Sequence, residues 1–153
     1  DHAAVAAELQ AAMGPTCTAL RDLVKAMPSW RLWVLNGREP VSSPDVMAQG
    51  RVALLGDAAH PMLPYLAQGA GMAIEDAAEL GSLLAMTSAA ALNVPLALSR
   101  YALNRWQRVA RVQARALRNG RIFHATGVVQ AGRDVSLRLL GPRILDVPWL
   151  YGG

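Results

Sequence analysis

Residues 50–79 read Gly-Arg-Val-Ala-Leu-Leu-Gly-Asp-Ala-Ala-His-Pro-Met-Leu-Pro-Tyr-Leu-Ala-Gln-Gly-Ala-Gly-Met-Ala-Ile-Glu-Asp-Ala-Ala-Glu, and no other stretch of the chain restricts the fold so tightly. The apolar run 51–55 lies between Gly50 and Gly56. Such a run predicts a short strand buried on both faces, as in a parallel sheet. Gly56-Asp57 ends it, and a carboxylate at the C-terminal end of a parallel strand sits where open α/β sheets hold their ligands. An ionised carboxylate only accepts hydrogen bonds, so Asp57 suits a ribose or ribityl hydroxyl. A helix N-cap aspartate is the alternative reading.

The residues that follow narrow the choice. Pro61 and Pro64 stiffen a connection too long for a simple turn. Gln68-Gly69-Ala70-Gly71-Met72 then opens a predicted helix over about 70–86. Glycines at a helix start admit close approach of a ligand to the backbone. The free amides and the helix dipole there favour negative charge, such as that of a reduced flavin at its N1 and C2 carbonyl region. A glycine-rich turn packed against a neighbour is the alternative.

Taken together, Gly-Arg-Val-Ala-Leu-Leu-Gly-Asp-Ala-Ala-His-Pro followed by Ala-Gln-Gly-Ala-Gly-Met-Ala-Ile-Glu-Asp-Ala resembles the second flavin fingerprint of the FAD-dependent aromatic hydroxylases. These are single-component flavoprotein monooxygenases of the para-hydroxybenzoate hydroxylase fold. The likeness is greatest to the branch acting on salicylate, 3-hydroxybenzoate and 6-hydroxynicotinate. Residues 105–124 resemble that branch's late helix, and Trp149-Leu150-Tyr151-Gly152 its closing motif. The likeness covers the chain from about Trp30 onward and is looser over 1–29.

The resemblance implies roles for single residues. Gly56 and Asp57 match the turn whose aspartate holds the ribityl chain of FAD. Gly69, Ala70, Gly71 and Met72 match the helix start whose backbone faces the isoalloxazine. Leu63, Pro64 and Tyr65 fall where the family's loop passes the flavin ring and the aromatic substrate. Pro64 is a departure, because 3-hydroxybenzoate 6-hydroxylases are expected to carry a polar side chain there, often Gln, and proline offers none. His60 is read as fixing the turn rather than as a base. No catalytic residue is assigned.

The implied activity is transfer of an oxygen atom from O2 to a phenol-type ring, with FAD as cofactor and NADH or NADPH as co-substrate. The protein would supply orientation, a dry pocket and charge stabilisation. The expected fold is helix-rich α/β, the C-terminal part of a para-hydroxybenzoate-hydroxylase-like FAD-binding fold without its N-terminal dinucleotide-binding unit. Three features set that expectation. The chain has 153 residues, it begins without Met, and it carries no Gly-x-Gly-x-x-Gly near its start. It is read as one partial domain. Residues 1–48 would end a substrate-domain region and supply a connecting strand, 49–88 would form the fingerprint, and 89–153 the C-terminal helices.

Composition removes other classes. No apolar run reaches about 18 residues without polar interruption, so no membrane span is expected, and no basic-then-apolar leader is seen. The single Cys17 permits no internal disulfide, fits a reducing, cytoplasmic setting, and is read as a small buried residue. His2, His60 and His124 are widely spaced, with no ligand cluster, so no metal is expected. The net charge of +4 concentrates in a predicted helix of roughly 25 residues. On it Arg105, Arg108, Arg111, Arg115 and Arg118 share a broad face, opposite Trp106, Val109, Ala110, Ala116 and Leu117. That face is read as solvated, or paired with acids from outside this chain. An anion-binding face for nucleic acid is the weaker alternative, since no aromatic platform accompanies it. Glu75-Asp76 is read as dipole compensation and contact with neighbouring loops, because adjacent helical side chains diverge by about 100°.

The remaining pattern predicts a helix over 3–13 broken by Gly14-Pro15, and a second to Ala26 capped by Thr16. A strand is expected over 30–35, then a loop, and a link at 89–91. Asn93 is expected to cap the arginine-rich helix with Pro95 in its first turn, and a shorter helix to run over 131–140. Two readings of the whole stand. One is part of an aromatic hydroxylase. The other is an inactive packing or dimerising piece, whose strand at 51–55 would need another chain to cover its edges.

Overall fold

The computed structural model describes residues 2–4, 6–85, 92–144 and 147–151. The chain divides into two compact units, Asp1–Leu35 and Asn36–Gly153.

In the first unit, strand β1 (His2–Ala4) pairs antiparallel with β2 (Trp30–Leu32), His2 opposite Leu32 and Ala4 opposite Trp30. Helices α1 (Ala6–Met13) and α2 (Thr18–Ala26) connect them. The helix expected from residue 3 thus starts three residues later, because 2–4 are drawn into strand pairing. The strand expected to reach 35 stops at Leu32, where the pairing partner ends. Thr16 does not cap α2. Cys17 is the N-cap residue, with no side-chain cap bond, and the Thr16 hydroxyl oxygen is buried with no hydrogen-bond partner among the described residues. Cys17 is exposed, not buried, since its N-cap position projects it from the helix end.

The second unit is built on one long helix. α4 (Val94–Phe123) has 30 residues and starts as its sequence dictates. The Asn93 side chain accepts a hydrogen bond from the Leu96 amide at 3.1 Å, and Pro95 occupies the first turn. Its buried positions Leu98, Tyr101, Ala102, Arg105, Val109, Val112, Ala116 and Gly120 recur at spacings of three and four, the period of a single helix face. Against that face pack Val41, Met47, Ala59 and Met72, with Val147 and Leu150 from the C-terminal end. Helix α3 (Gly69–Ala85) lies across α4, and α5 (Gly127–Leu140) and α6 (Pro148–Tyr151) complete the unit. α5 begins four residues before its predicted start. The predicted link at 89–91 lies outside the described residues.

The run at 51–55 is the main departure. Only Val52–Ala53 forms a strand (β4), and it pairs antiparallel with β3 (Ala48–Gln49) in a tight hairpin. Gly50 takes φ +57°, the left-handed geometry required at the first central residue of such a turn. Val52 is 66% exposed, so the run is not buried on both faces. The apolar content signalled burial, but the strand's hydrogen bonds go to the segment just before it.

The loop between β4 and α3 is pressed onto α4 by one close approach. A Cβ added at Gly120 would stand 2.7 Å from both Cδ2 and Cε2 of Tyr65. The Tyr65 ring is also held edge-on to Phe123 and His124, at 6.1 and 5.4 Å between centroids. Gly120→Ala is therefore expected to destabilise the protein. Overpacking costs about 1–3 kcal/mol, against a helix-propensity gain of about 1 kcal/mol. The thermal midpoint should fall by several degrees in a calorimetric scan, and an unchanged or raised midpoint would show that the ring moves aside freely.

Candidate functional site

The predicted site residues cluster around the turn that ends β4. Gly56 opens a single 3-10 turn, Gly56–Ala58, with φ +53°. A Cβ there would meet the Ala73 Cβ at 3.2 Å, so the position demands glycine both for its dihedral and for the approach of α3. Asp57 follows on the exposed side of the turn. Its carboxylate makes no hydrogen bond among the described residues, and Oδ1 is 4.0 Å from where a Cβ on Gly69 would stand. The structure therefore brings Asp57 to the start of α3.

At that helix start Gly69 and Gly71 are half-buried and Ala70 is exposed. The Met72 amide is already bonded to the Gln68 carbonyl at 2.9 Å, and its side chain is fully buried in the core. The free amides are thus those before Met72. Leu63, Pro64 and Tyr65 diverge. Leu63 packs against Gly37, Pro64 is exposed, and Tyr65 turns toward Gly120. Pro64 and Tyr65 line a cavity of about 450 Å³, whereas Leu63 does not.

What fixes the turn is a buried carboxylate. Asp76 is fully buried and accepts from three directions: the Gly56 amide at 3.1 Å, His60 Nε2 at 2.5 Å and Arg105 Nε at 2.8 Å. An ionised carboxylate can only accept, so His60 donates through Nε2–H. His60 is itself fully buried, with Nδ1 unpartnered among the described residues. Its expected role of fixing the turn is what the geometry supports. The neighbouring Glu75 accepts from Arg105 Nη1 at 2.6 Å and from Arg108 Nε and Nη2 at 2.7 and 2.8 Å. Arg108 also donates to the Leu150 carbonyl at 3.0 Å, tying α6 to α4.

This corrects the reading of the arginine stripe at Arg105 and Arg108, whereas Arg111 and Arg118 are exposed as that reading has them. Arg105 lies on the buried face with Val109 and Ala116 rather than opposite them. Its acids come from α3 of this same chain, not from elsewhere. Arg111 is placed 3.9 Å over the Trp149 ring. Contact of Glu75-Asp76 with a neighbouring loop was legible, but their arginine partners sit about 30 residues on, with no local spacing to announce them. Two amides on α4 were likewise missed. Gln113 accepts from the Val41 amide at 2.9 Å and donates to the Pro61 carbonyl at 3.2 Å. Asn119 donates to the Tyr65 carbonyl at 3.1 Å. Both hold loop backbone that would otherwise be unpaired.

Electrostatics follow from these contacts. Burial pushes the Asp76 carboxyl up, but the hydrogen bonds from His60, Arg105 and the Gly56 amide together outweigh it and hold it below its ordinary 3.8. Glu75 is held below its ordinary 4.5, chiefly by the Arg108 hydrogen bond. Burial raises the Tyr101 hydroxyl, reinforced by the Asp76 charge, and the hydroxyl donates to the Leu54 carbonyl at 3.0 Å. Among the described residues no three His, Cys, Asp or Glu side chains gather to hold a metal ion, and no helix is long and apolar enough to cross a membrane.

Both carboxylates have folded values below their unfolded ones. The stability they contribute is complete above those unfolded values and is lost as pH falls through the folded ones. Urea unfolding should therefore show a plateau above about pH 5 and a decline below about pH 4. Asp76→Asn leaves Arg105 only Glu75 as a charge partner and removes the carboxylate to which His60 and the Gly56 amide donate, and should cost about 1–3 kcal/mol near neutral pH while reducing the acid decline. Equal stability of variant and wild type at neutral pH would contradict the assigned role of Asp76.

The sequence model of the FAD binding domain family matches residues 40–116. The chain is 37% identical over 147 residues to 3-hydroxybenzoate 6-hydroxylase of Polaromonas naphthalenivorans (strain CJ2), covering 95% of this chain and 35% of that protein. It is 40% identical over 107 residues to 6-hydroxynicotinate 3-monooxygenase of Bordetella bronchiseptica, covering 70% of this chain and 27% of that protein. The crystal structure of Klebsiella pneumoniae HpxO complexed with FAD and uric acid superposes with a TM-score of 0.76 at 28% identity, covering 92% of this chain and 36% of that one. The chain spans about a third of the length of the curated relatives it matches. On these matches the chain belongs to the FAD binding domain family.

Proposed function

We propose that this chain is the C-terminal part of a flavoprotein monooxygenase that hydroxylates a small phenolic or hydroxy-aromatic acid, using FAD, NADH or NADPH, and oxygen. The observation that carries the reading is the unspent Asp57 carboxylate beside the glycine-rich start of α3. The residues present fit the group. Asp57 offers only acceptors, which match the hydroxyls of a ribityl chain. The α3 start offers unbonded amides and a positive dipole end, which match the anionic edge of a reduced flavin ring. Gly56, Asp57, Pro64, Gly69, Ala70, Gly71 and Met72 are the residues assigned to the cofactor, and Leu63, Pro64 and Tyr65 those assigned to the aromatic substrate.

When bound and reduced, FAD supplies the activation of oxygen. The chain's own residues do the positioning. Asp76, through Gly56 and His60, fixes the turn that presents Asp57. Gln113 and Asn119 brace the loop at Pro61 and Tyr65 from the α4 side. Pro64 offers no side-chain donor, so an acid selected at this place is chosen by shape there and by polar groups elsewhere.

The partners of this reading are a small aromatic acid, oxygen and the N-terminal portion of the fold, in a cytoplasmic setting. Val52 at 66% exposed supports a further chain segment, or a second copy in a homodimer, covering the hairpin. Residues 1–48 are assigned to the end of the substrate-domain region, 49–88 to the flavin fingerprint and 89–153 to the C-terminal helices.

Asp57→Ala in the full open reading frame that encodes this chain should lower retained FAD, by a factor of about ten if the carboxylate loses two good hydrogen bonds. Flavin absorbance per mole of purified protein measures it. Wild-type flavin content together with wild-type hydroxylation would overturn the assignment.

A further inference from the structure

Of the five arginines on the α4 stripe, Arg105 and Arg108 are paired with Glu75 and Asp76. Arg111, Arg115 and Arg118 form no ion pair among the described residues. They are four and three residues apart, so their side chains neighbour one another on successive turns. Like charges so placed destabilise a helix. Solvated arginines relieve such repulsion by spreading apart. These three instead line one recess of about 380 Å³, together with Ala114 and Trp149. No carboxylate among the described residues lines it, and none of the residues assigned to the flavin does.

The walls of this recess are held in place. Arg108 donates from Nη1 and Nη2 to the carbonyls of Trp149 and Leu150 at 3.3 and 3.0 Å, which fixes α6 against α4. The Arg111 guanidinium lies 3.9 Å from the centre of the Trp149 ring. The ring face holds that charge in position, and the N–H groups at its edge stay available to an acceptor. Ala114 sits between the arginines and carries only a methyl group, so the floor is open. Arg115 turns Nε inward, where it is buried with no partner among the described residues. It therefore acts on the recess through its charge and not through that N–H.

We propose that this recess binds the phosphate of a small phosphorylated molecule, a phosphate monoester or a diphosphate. Arg111 and Arg118 supply the N–H donors, and Arg115 supplies a third positive charge. Three cations without an acid suit a group carrying two or more negative charges better than a singly charged carboxylate. The volume falls in the range of about 300–1,000 Å³ typical of small-molecule sites, which leaves room for the body that carries the phosphate. Nucleic acid would need a track of charge with aromatic platforms along it, and this is a single local cluster with one aromatic ring.

The test is calorimetric titration of the protein purified from the full open reading frame that encodes this chain. Sodium pyrophosphate serves as the diphosphate, glycerophosphate as the monoester and sodium acetate as the singly charged control. An ionic strength of about 0.15 M screens diffuse attraction. At least one phosphate compound should bind saturably in the millimolar range or tighter, and acetate about tenfold more weakly or worse. Which of the two binds better identifies the class. Arg111→Gln and Arg118→Gln should each weaken phosphate binding about tenfold, whereas Arg138→Gln, exposed on α5, should leave it unchanged. Ala114→Glu places a carboxylate on the recess floor and should abolish binding. Ala114 is exposed and glutamate is a good helix former, so this variant decides the matter if circular dichroism shows that an arginine variant does not fold. Equal binding of acetate, undiminished binding in any folded recess variant, an equal loss in Arg138→Gln, no saturable binding, or tighter binding of a short thymidine oligonucleotide through the same residues would each overturn the proposal.

Discussion

One buried carboxylate organises the second unit. Asp76 has no solvent to screen it, and an ion so placed is tolerable only when every acceptor position is filled. Its donors come from three separate places: the backbone at Gly56, the ring of His60 and the guanidinium of Arg105. The β4-to-α3 turn, the loop after it and the long helix are therefore held by the same few atoms. The turn keeps its geometry because Gly56 alone permits it, and keeps its position because the Gly56 amide is committed to Asp76.

The long helix does the rest of the bracing with neutral groups. Gln113 spans from Val41 to Pro61, and Asn119 reaches the Tyr65 carbonyl. A loop pressed against a helix cannot pair its own backbone as a strand would, so amide side chains take over that task. The core between them is made largely of alanine, valine and methionine. Small side chains let helices approach closely, and the contact of Gly120 with the Tyr65 ring is the extreme case.

Much of this was legible in the sequence where a local rule applied. The glycine at 56, the helix start at 69 and the Asn93 cap with Pro95 all announce themselves within a few residues. What was not legible depended on pairing at a distance. The run at 51–55 has the composition of a buried parallel strand, yet its two-residue strand pairs back across Gly50-Arg51. Arg105 looked like one member of a solvated stripe. Helical phase placed five arginines on one broad face but did not mark where burial begins, and Arg105 stands on the inner side of that boundary. Thr16 and Cys17 show the smaller error, in which a cap shifted by one residue exchanges a bonded hydroxyl for an idle one. At the site, the proximity of Asp57 to Gly69 is a tertiary fact that the motif's order only suggested.

Glu75 and Asp76 are consecutive, so their side chains leave α3 at azimuths about 100° apart. Arg105 holds both. A helix tethered along a single azimuth can still roll about its own axis, as a log rolls against one peg. Two tethers separated by a quarter-turn or more remove that freedom, and here a single guanidinium supplies both. The amides at the start of α3 are thus fixed in direction as well as in place. A small rotation would leave α3 packed and helical while aiming those amides past their target. The pair of carboxylates on Arg105 is what denies the helix that rotation.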